Sequence, residues 1–204
     1  MLGTIGDELP SHPENSLARG VRDKMVASAA ELLARRGLEG TSFSEVLDLA
    51  GAPRGSVYHH FPEGKEQLIG AAIDLAGRSA LGWIDKKQGS PPDEIVEWFV
   101  HIWRELLRRS RFDAGCAVLA VTVATDSPEL LNHAADVFRS WRRRLAELFE
   151  TGGLGREDAA RFAAVLIAST EGAVVLSRAE QSLEPLDLVE SQLLDDVRRL
   201  MRGA

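Results

Sequence analysis

The sequence predicts an all-α protein with a small N-terminal helix-turn-helix domain and a larger helical C-terminal domain. Apolar residues recur at helical spacing through most of the chain. Prolines beyond the first residues divide the chain into segments of helical length. The stretch CAVLAVTVA (116–124) is rich in β-branched residues, but no partner strand is evident elsewhere, so we expect a buried helix there.

Composition limits the classes of protein to which this chain can belong. Its 204 residues suffice for one large or two small domains, and 45% hydrophobic residues allow a packed core. A net charge of −7 argues against a protein that coats anionic surfaces. The single Cys116 excludes an internal disulfide framework and is typical of a reducing compartment.

Neither an export signal nor a membrane span is predicted from residues 1–18 or from the most apolar runs. Residues 1–18 are polar, rich in Pro and Ser, and lack the apolar core of a signal peptide, so we expect a disordered tail. The most apolar runs, 116–124 and 162–169, are shorter than the ~20 residues that a membrane span needs. We therefore expect a cytoplasmic protein without membrane contact.

The first helix is predicted over 21–37. Its last turn carries Arg35 and Arg36, whose charges complement the helix dipole, and Gly37 suits the position that follows a helix end. Its apolar stripe consists of Val21, Met25, Ala29, Leu32 and Leu33.

Two short helices are predicted next. Ser42 and Glu45 have the spacing of a capping box at the start of the second helix, and Gly51 ends it. Pro53 is expected to start the third helix, which runs to about Phe61. Two short helices joined by a tight turn form a helix-turn-helix. Further helices are predicted over 65–87, 92–110, 114–124, 127–150, 156–181 and 186–202.

The stretch TSFSEVLDLAGAPRGSVYHHFPEGKEQLI (41–69) resembles the DNA-binding segment of the TetR family of transcriptional regulators. The shared pattern is a Thr/Ser pair, an Ala-Gly turn, then Arg-Gly-x-hydrophobic-Tyr-His-His-Phe and Lys-Glu. FPEGKE and GCAVLAV (115–121) are similar to the branch that includes the LmrA and YxaF repressors. The resemblance implies a DNA-binding domain over 19–66 and an effector-binding and dimerisation domain over 67–204.

Residue chemistry agrees with DNA binding by the third helix. Gly55 lets the backbone approach DNA closely, and Arg54 can reach a guanine edge with two hydrogen bonds, or a phosphate. Tyr58 and His59 can donate to phosphate oxygens, and the free N–H groups behind Ser42 form a phosphate site. The residues predicted to bind DNA, from chemistry and resemblance together, are Ser42, Ser44, Arg54, Gly55, Ser56, Tyr58, His59, His60 and Lys65.

Two features depart from the family pattern, and one residue stays open. Pro53 stands where the family often has Ser, and Lys65 lies one position farther from Phe61 than is usual, which puts its reach to phosphate in question. For His60, packing and DNA contact are equally supported. Neighbouring histidines diverge by about 100° on a helix, so the pair is a poor metal site, and no cofactor is expected.

The aromatic residues of the C-terminal half predict an apolar ligand pocket, although core packing explains any single one equally well. Glu171 is a candidate polar anchor, or else a partner in an interhelical salt bridge; Cys116 suits a small core residue. The predicted ligand-binding residues are Trp83, Trp98, Ile102, Trp103, Cys116, Leu119, Phe138, Trp141 and Glu171. Segments 156–181 and 186–202 either close the monomer or, as the resemblance implies, pair with a second copy.

The leading hypothesis is a regulator, most often a repressor in this family, that binds a pseudo-palindromic operator as a homodimer and is released by a small apolar effector. The alternative is a carrier or enzyme for a small hydrophobic molecule with a vestigial DNA-binding segment. Against an enzyme, the sequence shows no convincing nucleophile–base pair, metal ligand set, phosphate loop or acidic dyad.

Overall fold

The computed structural model describes residues 13–203 of the chain, with side chains from Gly20 onward. This part of the chain forms nine α-helices and contains no β-strand. The helices are α1 (Pro13–Arg36), α2 (Phe43–Ala50), α3 (Ser56–His60), α4 (Lys65–Ile84), α5 (Pro92–Ser110), α6 (Ala117–Thr122), α7 (Pro128–Thr151), α8 (Arg156–Glu180) and α9 (Glu184–Gly203), with a short 3-10 turn at Asp85–Lys87 after α4.

The all-α fold is confirmed, and most helix bounds lie close to the predicted ones. α1 begins at Pro13, so it includes residues 13–18, which the sequence assigned to a disordered tail; residues 1–12 lie outside the described part. α6 is shorter than the predicted 114–124, because the chain reaches its helical conformation only after Cys116, the N-cap residue.

The predicted start of the third helix is wrong. α3 begins at Ser56, with Gly55 as its N-cap residue, rather than at Pro53. The carbonyl of Pro53 accepts hydrogen bonds from the Ser56 N–H at 3.0 Å and from the Ser56 hydroxyl at 2.5 Å. These bonds close a turn over residues 53–56, so Arg54 lies in this turn, directly before the helix.

The first three helices share one apolar core. Met25 and Leu33 of α1, Val46 of α2, Val57 of α3 and Phe61 after it are all buried. Helices as short as α2 and α3 are marginally stable alone, so their stability comes from this shared packing.

The C-terminal helices pack α4 on α7, α7 on α8, and α9 on both α5 and α8. Gly77 allows close approach of α4 and α7, because a Cβ atom there would lie 2.9 Å from the methyl groups of Val137. The Trp141 indole N–H donates to the Gly77 carbonyl at 3.1 Å, so α7 is also tied to α4 by a buried hydrogen bond.

α8 is long and apolar enough, by length and composition alone, to cross a membrane. However, 50% of its most apolar window is buried inside the protein, where Phe162, Leu166 and Val174 belong to the core. Core helices of soluble proteins have the same composition, and packing explains the buried half of the apolar residues of α8.

Candidate nucleic-acid interface and ligand site

The N-terminus of α2 is held by a complete capping box. The Ser42 hydroxyl accepts from the Glu45 N–H, and the Glu45 carboxylate accepts from the Ser42 N–H, both at 3.2 Å. The Ser42 hydroxyl also donates to the Glu45 carboxylate at 3.0 Å. The hydrogen bonds that the carboxylate accepts from the Ser42 N–H and hydroxyl, together with Arg36 at 2.7 Å, lower the pKa of Glu45. Gly51, with φ of 60°, ends the helix in the left-handed conformation. The sequence-predicted cap and helix end are both confirmed.

α3 has one buried and one exposed side. Val57 packs into the core, whereas Arg54, Gly55, Tyr58 and His59 are exposed. Tyr58 is 73% exposed, an unusual position for an aromatic side chain in a folded domain. This side therefore presents a cation, a phenol and an imidazole to solvent.

Arg54 borders a hollow of about 350 Å³ between α2 and α3. The hollow also contains Ser44 and Asp48, and the Phe43 ring lies 6.4 Å from the Tyr58 ring. Within the described residues no carboxylate forms an ion pair with Arg54, so its guanidinium is available to a ligand. The support that Phe43 provides to Tyr58 is not evident from the sequence, because the adjacency of the two rings depends on the packing of α2 against α3.

Three other predicted residues make contacts within the protein. The Ser56 hydroxyl is used in the turn with Pro53. His60 is half-buried, and its pKa is lowered first by burial and then by the nearby His59 and Arg22. A depressed pKa favours the neutral ring, which weakens any electrostatic contact of His60 with phosphate.

Lys65 lies at the first position of α4, and its ammonium donates to the Leu38 carbonyl at 3.1 Å. This bond joins α4 to the loop between α1 and α2. The longer spacing between Phe61 and Lys65, noted in the sequence, accompanies this inward contact.

The predicted ligand-binding residues lie in separate places. Trp83, Trp98 and Ile102 line an open cavity of about 510 Å³ between α4 and α5, with His101 and Arg109 among its other lining residues. The Trp98 indole N–H donates to the Trp83 carbonyl at 2.7 Å, and the two indole rings lie 6.3 Å apart. Two large apolar surfaces are thus held at the wall of one cavity.

Other members of the predicted set belong to the interior. Trp103 and Trp141 are buried, and Phe138, which is half-buried like Leu119, packs edge-on against Trp141 at 5.5 Å. These aromatic contacts are those of a packed core, which is the alternative that the sequence left open for each of them.

Cys116 and Glu171 form a buried polar pair between α6 and α8. The Cys116 sulfur accepts the Leu119 N–H at 3.4 Å as the N-cap of α6. Burial, and then the charge of Glu171, raise the pKa of the thiol. Burial raises the pKa of Glu171 to about 7.

Glu171 has no hydrogen-bond partner for either carboxyl oxygen within the described part of the chain. No Lys or Arg there forms the salt bridge that the sequence allowed, so that alternative is wrong for these residues. A buried carboxyl without a donor is costly for stability, and a ligand with a donor group would satisfy it.

α8 and α9 expose an apolar face. Val175 and Leu176 of α8 are 51% and 52% exposed, and Leu188 of α9 is 65% exposed. Gly172, on the same side of α8, has open space where a side chain would stand. A face of large and small apolar residues is typical of a helix–helix interface between subunits.

Comparison with known proteins agrees with this geometry. Residues 26–72 match the family of bacterial regulatory proteins described as the tetR family. Residues 92–192 match the C-terminal domain described as transcriptional regulator LmrA/YxaF-like. Together these matches cover both halves of the chain.

The chain is also similar to transcriptional regulators over most of its length. The chain is 36% identical over 182 residues to an uncharacterized helix-turn-helix transcriptional regulator of Mycobacterium tuberculosis, covering 86% of this chain and 93% of that protein. It is 28% identical to YxaF of Bacillus subtilis over 87% of this chain and 95% of that protein. A TetR transcriptional regulator from Chloroflexus aurantiacus has a similar crystal structure, with a TM-score of 0.76 and 28% identity over 90% of this chain and 96% of that one.

Proposed function

Because the chain belongs to the TetR family of DNA-binding transcriptional regulators, we propose that it is a ligand-responsive repressor acting in the cytoplasm on a pseudo-palindromic operator. The observation that carries the proposal is the exposed surface of α3 and of the turn before it, which presents Arg54, Tyr58 and His59. Arg54 reads a base edge, and Tyr58 and His59 donate to phosphates. Repression is supported by relatives named as repressors, among them DhaR of Mycobacterium sp. at 27% identity.

The protein acts as a homodimer through α8 and α9. The exposed Val175, Leu176 and Leu188 would be covered by the same residues of a second copy, as a two-fold interface requires. Two recognition helices then reach successive major grooves, about 34–36 Å apart.

The effector is a small apolar molecule bound in the C-terminal domain. The cavity beside Trp83 and Trp98 has the size of a small-molecule site. Glu171 does not line this cavity and, as a buried carboxyl without a donor, is a separate candidate contact. The effector releases DNA only to the extent that it binds the DNA-free arrangement more tightly.

A gel-shift assay tests DNA binding, with DNA from immediately upstream of the protein's own gene. We expect a saturable complex that competitor DNA of random sequence displaces poorly. Absence of a complex at low salt, together with stoichiometric uptake of a hydrophobic compound, would instead support a carrier.

The dimer is tested by Val175→Glu, which places a charge on the exposed face of α8. We expect a monomer by sedimentation and a loss of operator affinity of at least a hundredfold, because only one half-site remains bound. Val123→Glu is the matched control, since Val123 is 75% exposed at the end of α6. A dimer that persists in Val175→Glu would contradict this interface.

The effector site is tested by a thermal-shift screen of apolar compounds, followed by release of bound DNA. Trp83→Ala and Trp98→Ala should each abolish the thermal shift, because they remove a wall of the cavity. Leu49→Ala, an exposed apolar residue of α2, should leave the shift unchanged. A ligand response that survives both tryptophan substitutions would place the effector elsewhere.

A further inference from the structure

The end of α1 is capped by the C-terminal domain. Helix ends leave their last carbonyls without partners inside the helix. The Gly115 N–H donates to the Ala34 carbonyl at 2.8 Å, and Arg178 of α8 donates through Nη2 to the Arg35 carbonyl at 3.4 Å. Two of the last carbonyls of a DNA-binding-domain helix are thus satisfied from residues 80 or more positions later.

Arg178 also holds residues 111–115, the loop between α5 and α6. Its Nε donates to the Phe112 carbonyl at 3.4 Å and its Nη2 to the Asp113 carbonyl at 3.1 Å. The Asp113 carboxylate in turn accepts from Arg35 at 2.8 Å. The 111–115 loop is therefore bound on one side to α8 and on the other to α1.

The conformation of the 111–115 loop needs such support. Arg111 and Phe112 have φ of 53° and 63°, a left-handed conformation that is strained for a residue other than glycine. Gly115 leaves room for the guanidinium, since a Cβ atom there would lie 3.0 Å from Nη1 of Arg178. The conformation of the 111–115 loop, the absence of a side chain at Gly115 and the position of the Arg178 guanidinium therefore depend on one another.

We infer that Arg178 is a positioning residue that fixes the orientation of the DNA-binding domain on the dimerisation helix α8, through the end of α1 and the 111–115 loop. Its positive charge also suits the C-terminus of α1, where the helix dipole is negative. The inference rests on the proposed function, because the orientation matters only if two DNA-binding domains must reach one operator together.

The same loop leads to the buried polar pair. Cys116 directly follows Gly115, and Glu171 precedes Arg178 by seven residues, two turns earlier on α8. The buried pair therefore adjoins both Gly115 and Arg178, which join the 111–115 loop and α8 to the end of α1.

Two substitutions test the inference from opposite sides. Arg178→Gln removes the guanidinium, and Gly115→Ala adds a methyl group that displaces it. Arg178→Lys keeps the positive charge but loses the guanidinium, so it should retain part of the hold on the end of α1. Arg161→Gln is the matched control, because Arg161 of α8 is exposed and pairs with Glu157 and Asp158 of its own helix.

Hydrogen exchange of the DNA-free protein is the first measurement. In Arg178→Gln and Gly115→Ala we expect the Gly115 amide and the amides of residues 33–37 to exchange at least tenfold faster. The exchange rates of these amides in Arg178→Lys should lie between those of the two test variants and the wild type. In Arg161→Gln they should equal the wild-type rates. Unchanged exchange in both test variants would overturn the inference.

Operator binding is the second measurement. It uses the operator identified by footprinting in the DNA upstream of the protein's own gene, and a single half-site taken from that operator. A positioning role predicts a loss of about tenfold or more on the full operator and no loss on the half-site. An equal loss on both DNAs would mean that the recognition surface itself is damaged, and would overturn the inference. If the wild type binds no DNA, the proposed function fails, while hydrogen exchange still decides whether Arg178 holds α1.

Discussion

The surface around α2 and α3 and the interior of the C-terminal domain are built in opposite ways. Around α2 and α3 the functional side chains are exposed, and their supports, such as Ser42 with Glu45, lie a few residues away in sequence. In the C-terminal domain Cys116 and Glu171 are buried, and they meet across more than 50 residues. Substitutions of the exposed residues around α2 and α3 should therefore alter DNA binding with little change in stability, whereas substitutions of this buried pair should alter stability as well.

The largest expected effect is on folding stability, from Glu171→Gln. Burial raises the folded-state pKa of Glu171 from 4.5 to about 7, so the folded state holds this proton more tightly than the unfolded chain does. The contribution of Glu171 to stability is therefore full below about pH 4.5, falls as the pH rises, and is lost above about pH 7. Glutamine stays neutral, so the variant should exceed the wild type at pH 8 by on the order of 3 kcal/mol.

Urea unfolding of both proteins from pH 4.5 to pH 8 checks this expectation. Other titrating groups, including His60 with its lowered pKa, are common to both proteins and cancel in the difference. Glu180→Gln, at an exposed position near the end of α8, is the control and should show no such trend. A difference that does not vary with pH would show that Glu171 is already neutralised by a partner.

A smaller effect, on sequence preference, is expected from Arg54→Ala. A bidentate contact with a base contributes about 1–3 kcal/mol of discrimination, so the preference for operator over random DNA should fall by that amount. The melting temperature should stay constant because Arg54 is exposed. Arg142→Ala, an exposed arginine of α7, serves as control. Equal losses on operator and random DNA would assign Arg54 to phosphate instead.

Ser42→Ala should cost about 1 kcal/mol of folding stability, the usual cost of losing an N-cap side chain. Denaturant unfolding measures the loss, and Ser44→Ala is the matched control on the first turn of the same helix, where no cap bond is broken. If the two variants unfold alike, the capping box does not stabilise α2.

An effect of similar size, on DNA affinity rather than stability, is expected from Tyr58→Phe, which removes one hydroxyl donor and keeps the ring against Phe43. Affinity should fall by about 0.5–1.5 kcal/mol on operator and random DNA alike, since a phosphate contact carries no sequence information. A filter-binding titration on operator and random DNA measures this loss of affinity. A loss confined to the operator would make Tyr58 a base-reading residue.

Prediction succeeded where the signals are local. The capping box at Ser42, the end of α2 at Gly51 and the Pro92 start of α5 follow from spacing within one turn of helix. It failed at Pro53, because the bond from the Ser56 hydroxyl to the Pro53 carbonyl competes with the helix and closes a turn instead.

The position of each tryptophan was predicted less well, because aromatic composition does not distinguish a cavity wall from a core. Trp98 and Trp141 stand in similar apolar helices, but Trp98 lines an open cavity and Trp141 is buried against Gly77. Whether a tryptophan lines a cavity or packs in the core depends on the helix beside it. The periodicity of the sequence does not identify that neighbouring helix.

By itself the sequence determined the helical class, the helix-turn-helix and its exposed Arg54, Tyr58 and His59, because capping, turn chemistry and helical period act over a few residues. Only the tertiary structure decided that Lys65 bonds to Leu38, that Glu171 is buried without a donor, and that Arg178 caps α1. These contacts join residues far apart in the chain, and their cost or benefit arises from burial and from helix ends that meet only in the folded protein.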